Sequence, residues 1–107
     1  MSESEIQDFV LQYLQTHRKG FFWRNNTTGV WDPVRKVFRK NNNLKGVSDI
    51  IGVMNGKAIF IECKSTIGKL SKDQKIFREM VEKNGGIFYV ANDINNFINW
   101  YKQLCAS

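Results

Sequence analysis

Asp49, Glu62 and Lys64 are the residues of this chain whose types and spacing could do chemistry together. They stand at the two ends of "SDIIGVMNGKAIFIECKS", residues 48–65, which otherwise reads as two apolar strands around a tight turn. Asn55-Gly56 between apolar runs is the strongest short-range hairpin signal, because both central turn residues need positive φ. With those two at the turn, Met54 faces Lys57, Val53 faces Ala58, Ile51 faces Phe60 and Asp49 faces Glu62. Side chains alternate between the faces of a strand. Asp49, Ala58, Phe60, Glu62 and Lys64 therefore share one face.

Two carboxylates directly opposite each other, ~5 Å apart, destabilise a ladder unless something compensates them. A divalent cation would. Mg²⁺ takes oxygen ligands, commonly one or two carboxylates with waters and substrate phosphates. The carbonyl of Cys63, between the two charged side chains, is a further candidate ligand. Its thiol should point to the other face with Ile59 and Ile61, into the core. An ammonium beside a metal-bound water can orient it or stabilise charge on a phosphate in the transition state, which gives Lys64 a role. The plain structural account is that Asp49 and Lys64 only pair with Glu62 on the surface, where ion pairs are common and worth little. A single bulge would also change the register.

The elements that must position these residues can be read from pattern. Ile6, Phe9, Val10, Tyr13 and Leu14 recur at helical spacing over 3–16, and Ser2 with Glu5 makes a capping box. "GFFWRN" at 20–25 reads as a short strand, "NTTGVWDP" as turn, "VRKVFRK" as a further strand and "NNNLKG" as loop. After the hairpin, Ser71 opens a second helix through about Lys83, with Phe77, Met80 and Val81 inward, and Gly85-Gly86 ends it. "IFYVA" at 87–91 is a buried strand. A last helix from about Asp93 to Leu104 carries the stripe Ile94, Phe97, Ile98, Tyr101, Leu104 and Cys105. The order α-β-(β)-β-β-α-β-α predicts an α/β fold, a mixed sheet flanked by helices. No linker, repeat or boundary divides residues 1–107, so one domain is expected.

Composition bounds the function. Between Arg18 and Lys45 lie eight basic residues and one acid, Asp32, so this segment holds all of the chain's net charge of +6. It also holds Trp23, Trp31 and Phe38, and basic residues interleaved with aromatics suit a phosphate backbone. Arg24, Arg35, Lys36, Arg39, Lys40 and Lys45 are the candidate DNA contacts; the plain alternative is a solvated basic loop. No apolar run approaches the ~20 residues that cross a membrane, and "MSESEIQ" lacks signal-peptide character. An intracellular, cytoplasmic protein is expected. Cys63 and Cys105 form neither a disulfide framework nor a CxxC site. His17, the one histidine, stands at a helix end before "RKG" and reads as a surface residue, which disfavours a histidine-held metal or a histidine nucleophile.

"SD" at 48–49, a strand, a turn and "IECK" at 61–64 resemble the D…(E)xK signature of the PD-(D/E)xK nuclease superfamily. More narrowly, "ESEIQ", "FFWRNNT", "GVSDIIGVMNGKAIFIECK", "GKLSKDQKIF" and "GGIFYVAND" resemble the virus-type replication-repair nuclease (VRR-NUC) domain over nearly the whole chain. Ser48 stands where the superfamily's name has proline. The resemblance implies a restriction-endonuclease-like core and a Mg²⁺-dependent endonuclease, Mn²⁺ substituting. By it, Asp49, Glu62 and the Cys63 carbonyl hold the metal, Lys64 is the catalytic lysine, and Gln74 matches a glutamine of the second helix. Gln74 also has a local explanation, the capping box opened by Ser71. A glutamate of the first helix joins the site; Glu5 is explained by its cap, which favours Glu3. Stand-alone members resemble Holliday-junction resolvases, often phage-encoded, that act on branched DNA as homodimers. Other readings are a nickase or flap-type nuclease, a non-catalytic nucleic-acid-binding module and an RNA-processing subunit. Two acids facing a polyanion speak against the binding module.

Overall fold

The computed structural model describes residues 1–25, 30–39 and 44–107, and of Val30, Phe38 and Arg39 the backbone only. Along the chain run α1 (Glu3–His17), β1 (Phe21–Arg24), β2 (Val30–Asp32), β3 (Val37–Arg39), β4 (Ile50–Met54), β5 (Lys57–Cys63), α2 (Lys72–Lys83), β6 (Ile87–Ala91) and α3 (Ile94–Ala106). The main sheet has the order β1-β4-β5-β6. Its first three strands are antiparallel, and β6 lies parallel to β5. Parallel neighbours need a crossover, and α2 supplies it.

Each boundary has a local cause. Ser2 Oγ accepts from the Glu5 N–H and the Glu5 carboxylate accepts from the Ser2 N–H, which fixes the start of α1. Asn55 and Gly56 carry φ of 53° and 76°, as a two-residue hairpin turn demands. The register that follows is the one the turn predicts: Met54 with Lys57, Val53 with Ala58, Ile51 with Phe60. Because side chains alternate, each face of the sheet collects its own core. On one face Ile6, Val10 and Leu14 of α1 and Phe97 and Tyr101 of α3 bury Phe22, Ile50, Ile59, Ile61 and Cys63. On the other, Phe77 and Val81 of α2 pack on Phe88, with Phe60 and Val90 partly buried beside them. Full burial of such side chains stabilises by roughly 1.5–3 kcal/mol each.

The structure departs from the sequence reading in two places. The stretch 26–33, expected to be turn throughout, contributes a strand at Val30–Asp32; its first four residues lie outside the described ones. β2 pairs with β3 in a separate two-stranded sheet, so the described residues hold one strand more than expected. Val30 and Trp31 are strand formers, and Pro33 only ends the strand and opens the turn. Met80, expected inward, is 50 % exposed. α2 lies over the β5–β6 half of the sheet, so its buried stripe narrows to Phe77 and Val81, at i and i+4. Among the described residues no helix is long and apolar enough to cross a membrane.

Candidate active site

The hairpin places its two acids where the register says. Asp49 immediately precedes β4, and its Oδ2 accepts the Cys63 N–H at 2.8 Å. That bond carries the β4–β5 pairing one step further and turns the aspartate toward the end of β5. The next N–H, of Lys64, donates to the Ala91 carbonyl of β6 at 2.9 Å. Successive strand residues point their amides to opposite neighbours, and the N–H and C=O of one residue point the same way. The Cys63 carbonyl therefore lies on the Asp49 edge. The Cys63 thiol is fully buried in the core on the other side, and burial pushes its pKa up, so it stays a protonated packing group.

Glu62 is 2 % exposed. Its Oε1 accepts from Gln74 Nε2 at 2.8 Å and lies 3.7 Å from Lys64 Nζ. Its Oε2 is buried with no hydrogen-bond donor. Burial first, and then the Asp49 carboxylate beside it, push the Glu62 pKa up to about 8, against the pull of Lys64. Two facing carboxylate oxygens can share only a proton or a cation. Glu3, the first residue of α1, completes the group: one oxygen from each of Glu3, Asp49 and Glu62 lies within 4.8 Å of the others. These hard oxygen donors, one of them buried and without a donor, suit Mg²⁺ or Mn²⁺. An exposed surface ion pair, the plain account of the three charges, does not describe a glutamate this buried.

The supporting elements explain the rotamers. Gln74 closes the capping box of α2: its side-chain oxygen accepts the Ser71 N–H at 2.8 Å while its Nε2 points at Glu62. Capping and contact with the acid are thus made by one amide. Glu5 is spent on its own cap, and its carboxyl pKa is lowered by the Ser2 backbone hydrogen bond, which leaves Glu3 to the cluster. Gly46, at φ 75°, lies so close to Asp73 that a Cβ would collide with the Asp73 backbone. It brings the chain past the start of α2 and into Asp49. The resulting cavity of ≈ 330 Å³ is lined by Glu3, Asp49, Glu62 and Gln74, with Asp73 among its other walls. Asp73 escaped the sequence reading because an acid in a first helical turn already has a cause in the helix dipole. Asn25 escaped it too; its N–H donates to the Asp49 carbonyl at 2.7 Å, and only the strand pairing could have revealed that.

The basic candidates fall in different places. Arg24 forms an ion pair with Asp8 at 2.7 Å on the α1 side. Arg35 and Lys36 are exposed in the turn between β2 and β3, and Lys45 is exposed next to the cavity residues Leu44 and Gly46. The Arg39 side chain and Lys40 lie outside the described residues.

Residues 2–93 of the chain match the VRR-NUC domain. The chain belongs to the VRR-NUC family. Its members are nucleases, and the mixed four-stranded sheet flanked by helices is consistent with the restriction-endonuclease-like fold expected of one. No curated protein matches the chain. VRR-NUC membership gives the acidic cluster of Glu3, Asp49 and Glu62 its context as a possible metal site.

Proposed function

We propose that the chain is a Mg²⁺-dependent, structure-selective DNA endonuclease that acts as a homodimer on branched DNA of the Holliday-junction kind. One observation carries the reading: three carboxylates converge at the end of the β4–β5 hairpin around a buried, donor-free Glu62 oxygen, with Lys64 alongside. Asp49, Glu62 and the Cys63 carbonyl would hold the cation, with Glu3 closing the set. The bound metal supplies Lewis acidity and a water of lowered pKa. Lys64 places a positive charge where the phosphate gains negative charge in the transition state, and it orients the attacking water. Gln74 holds Glu62 in its rotamer. Each chain contributes one such cluster, so two paired cuts take two copies, for which a twofold dimer is the simplest arrangement.

The test is incubation with labelled four-way junction, flap, duplex and single strand in Mg²⁺, Mn²⁺ or EDTA. Junction cleavage in either metal and none in EDTA is expected. Cleavage that persists in EDTA, or no cleavage of any substrate, would overturn the reading.

A further inference from the structure

The sheet face that carries the acids is covered unevenly. The two antiparallel registers align residues of β1, β4 and β5 in rows: Phe21, Val53 and Ala58, then Trp23, Ile51 and Phe60. One step further the same register gives Asn25, Asp49 and Glu62, and the Asn25–Asp49 backbone bond is present there. α2 packs on the far half of this face, with Phe77 edge-on to Phe60 and Phe88. Among the described residues no helix packs on the β1–β4 half of this face, and three of its apolar side chains are well exposed. Phe21 is 71 % exposed, Val53 48 % and Trp23 40 %. The Phe21 and Trp23 rings lie 5.4 Å apart, centroid to centroid. Single exposed apolar residues need no explanation, but a contiguous patch marks a binding surface. At the strand rise, Trp23 stands ~7 Å and Phe21 ~14 Å along β1 from the acid row.

The patch continues into an apolar groove of ≈ 530 Å³, whose walls include Ile51, Phe60, Phe77 and the half-exposed Met80. Leu44 and Val47 line both this groove and the acid cavity, so the two are contiguous. Asn25 lines the groove as well, and its Nδ2 is buried with no hydrogen-bond partner.

A second copy of the chain or the bases of the DNA itself would suit such a face, and two observations favour the bases. The patch ends at the acid cluster, so a strand held there for cleavage has its neighbouring nucleotides beside it. The chain's net +6 attracts nucleic acid. Bases stack on aromatic side chains whatever their sequence, because every base has a π-face.

We infer that Phe21 and Trp23 form a stacking platform for unpaired bases next to the scissile phosphate. The inference rests on the nuclease reading of the acid cluster. In a closed duplex the faces of the bases are already stacked on each other, so only single-stranded, frayed or branched DNA can use the platform. That makes the platform a physical source of structure selectivity.

The experiment is metal-free binding in a Glu62→Gln background, read by fluorescence anisotropy on labelled single strand, four-way junction and blunt duplex. Phe21→Leu with Trp23→Leu keeps apolar bulk and removes the rings; Phe21→Tyr with Trp23→Tyr keeps the rings. The leucine pair should weaken single-strand binding by about 10- to 100-fold and leave blunt duplex unchanged. The tyrosine pair should bind like the parent. Equal single-strand affinity in the leucine pair, or an equal loss on all three DNAs, would overturn the platform. So would sedimentation in which Trp23→Ala dissolves a dimer without changing DNA affinity per protomer, since that assigns the face to a second copy. A parent protein that binds none of the DNAs would overturn the nuclease reading and the platform together.

Discussion

Glu62→Gln should stabilise the metal-free protein, and by an amount that depends on pH in a defined direction. The folded carboxyl titrates at about 8 because burial and the Asp49 carboxylate disfavour its charge. In the unfolded chain it titrates near the ordinary glutamate value, 4.5. Between those two pH values the folded state binds the extra proton, so stability falls as pH rises. The stability is fully present below 4.5 and lost as pH climbs through 8. The slope cannot exceed one proton, roughly 1.4 kcal/mol per pH unit. Across the window the loss is of the order of 3–5 kcal/mol, a large share of the ~5–15 kcal/mol that holds a domain of this size together. Glutamine keeps an oxygen for the Gln74 amide and carries no charge. Its melting midpoint in EDTA should draw close to the parent's as pH falls to 4.5. By pH 8 it should stand higher, by roughly 4–8 °C for each kcal/mol recovered. The assay is thermal unfolding in EDTA from pH 4.5 to 8. Adding Mg²⁺ at pH 8 should raise the parent's midpoint and leave the variant's unchanged, because a ligand of the folded state stabilises by mass action. Parallel pH profiles for the two proteins, or a variant that melts lower at pH 8, would refute the reasoning.

Asp49→Asn should abolish cleavage while DNA affinity holds or rises, since the change removes a metal-holding anion and its repulsion of phosphate; cleavage at a near-parental rate in Mg²⁺ would contradict this. Lys64→Ala should lower the single-turnover rate by roughly 10²- to 10³-fold and keep metal binding by calorimetry, because the ammonium acts on charge developing in the transition state. Replacing Arg35, Lys36, Arg39 and Lys40 by serine in the Glu62→Gln background should weaken all DNA shapes alike. It should also flatten the slope of log affinity against log salt by roughly 2–4 units; an unchanged slope would make this segment a solvated loop.

The hairpin was legible because its turn is over-determined. Asn55-Gly56 admits few conformations, and a two-residue turn fixes every pair behind it, which is how residues thirteen apart in sequence were put face to face. The helices were legible because caps and apolar spacing agreed. β2 was not, since a three-residue strand between a turn-rich run and Pro33 carries too little pattern to outweigh its flanks. Met80 was misplaced for a different reason. Helical spacing says which residues share a stripe, but not how much of the stripe the sheet is wide enough to cover. α2 is a crossover between β5 and β6, so it sits over those two strands and leaves its Met80 side over open sheet.

The two capping boxes show where pattern stops short of function. Ser2-x-x-Glu5 and Ser71-x-x-Gln74 obey the same local rule, and on sequence the rule fully explains both N3 residues. Only the fold separates them. A carboxylate that accepts the cap N–H, as Glu5 does, has no donor to offer elsewhere. A glutamine accepts with its oxygen and still has an NH₂ to give. The N-terminus of α2 is held against the site by the Gly46 approach to Asp73, so that spare donor reaches Glu62. Replacing Gln74 by glutamate would preserve the cap and set a carboxylate against a buried one. The cap of Gln74 and its contact with Glu62 are therefore compatible: the cap fixes the rotamer from which Nε2 reaches the acid.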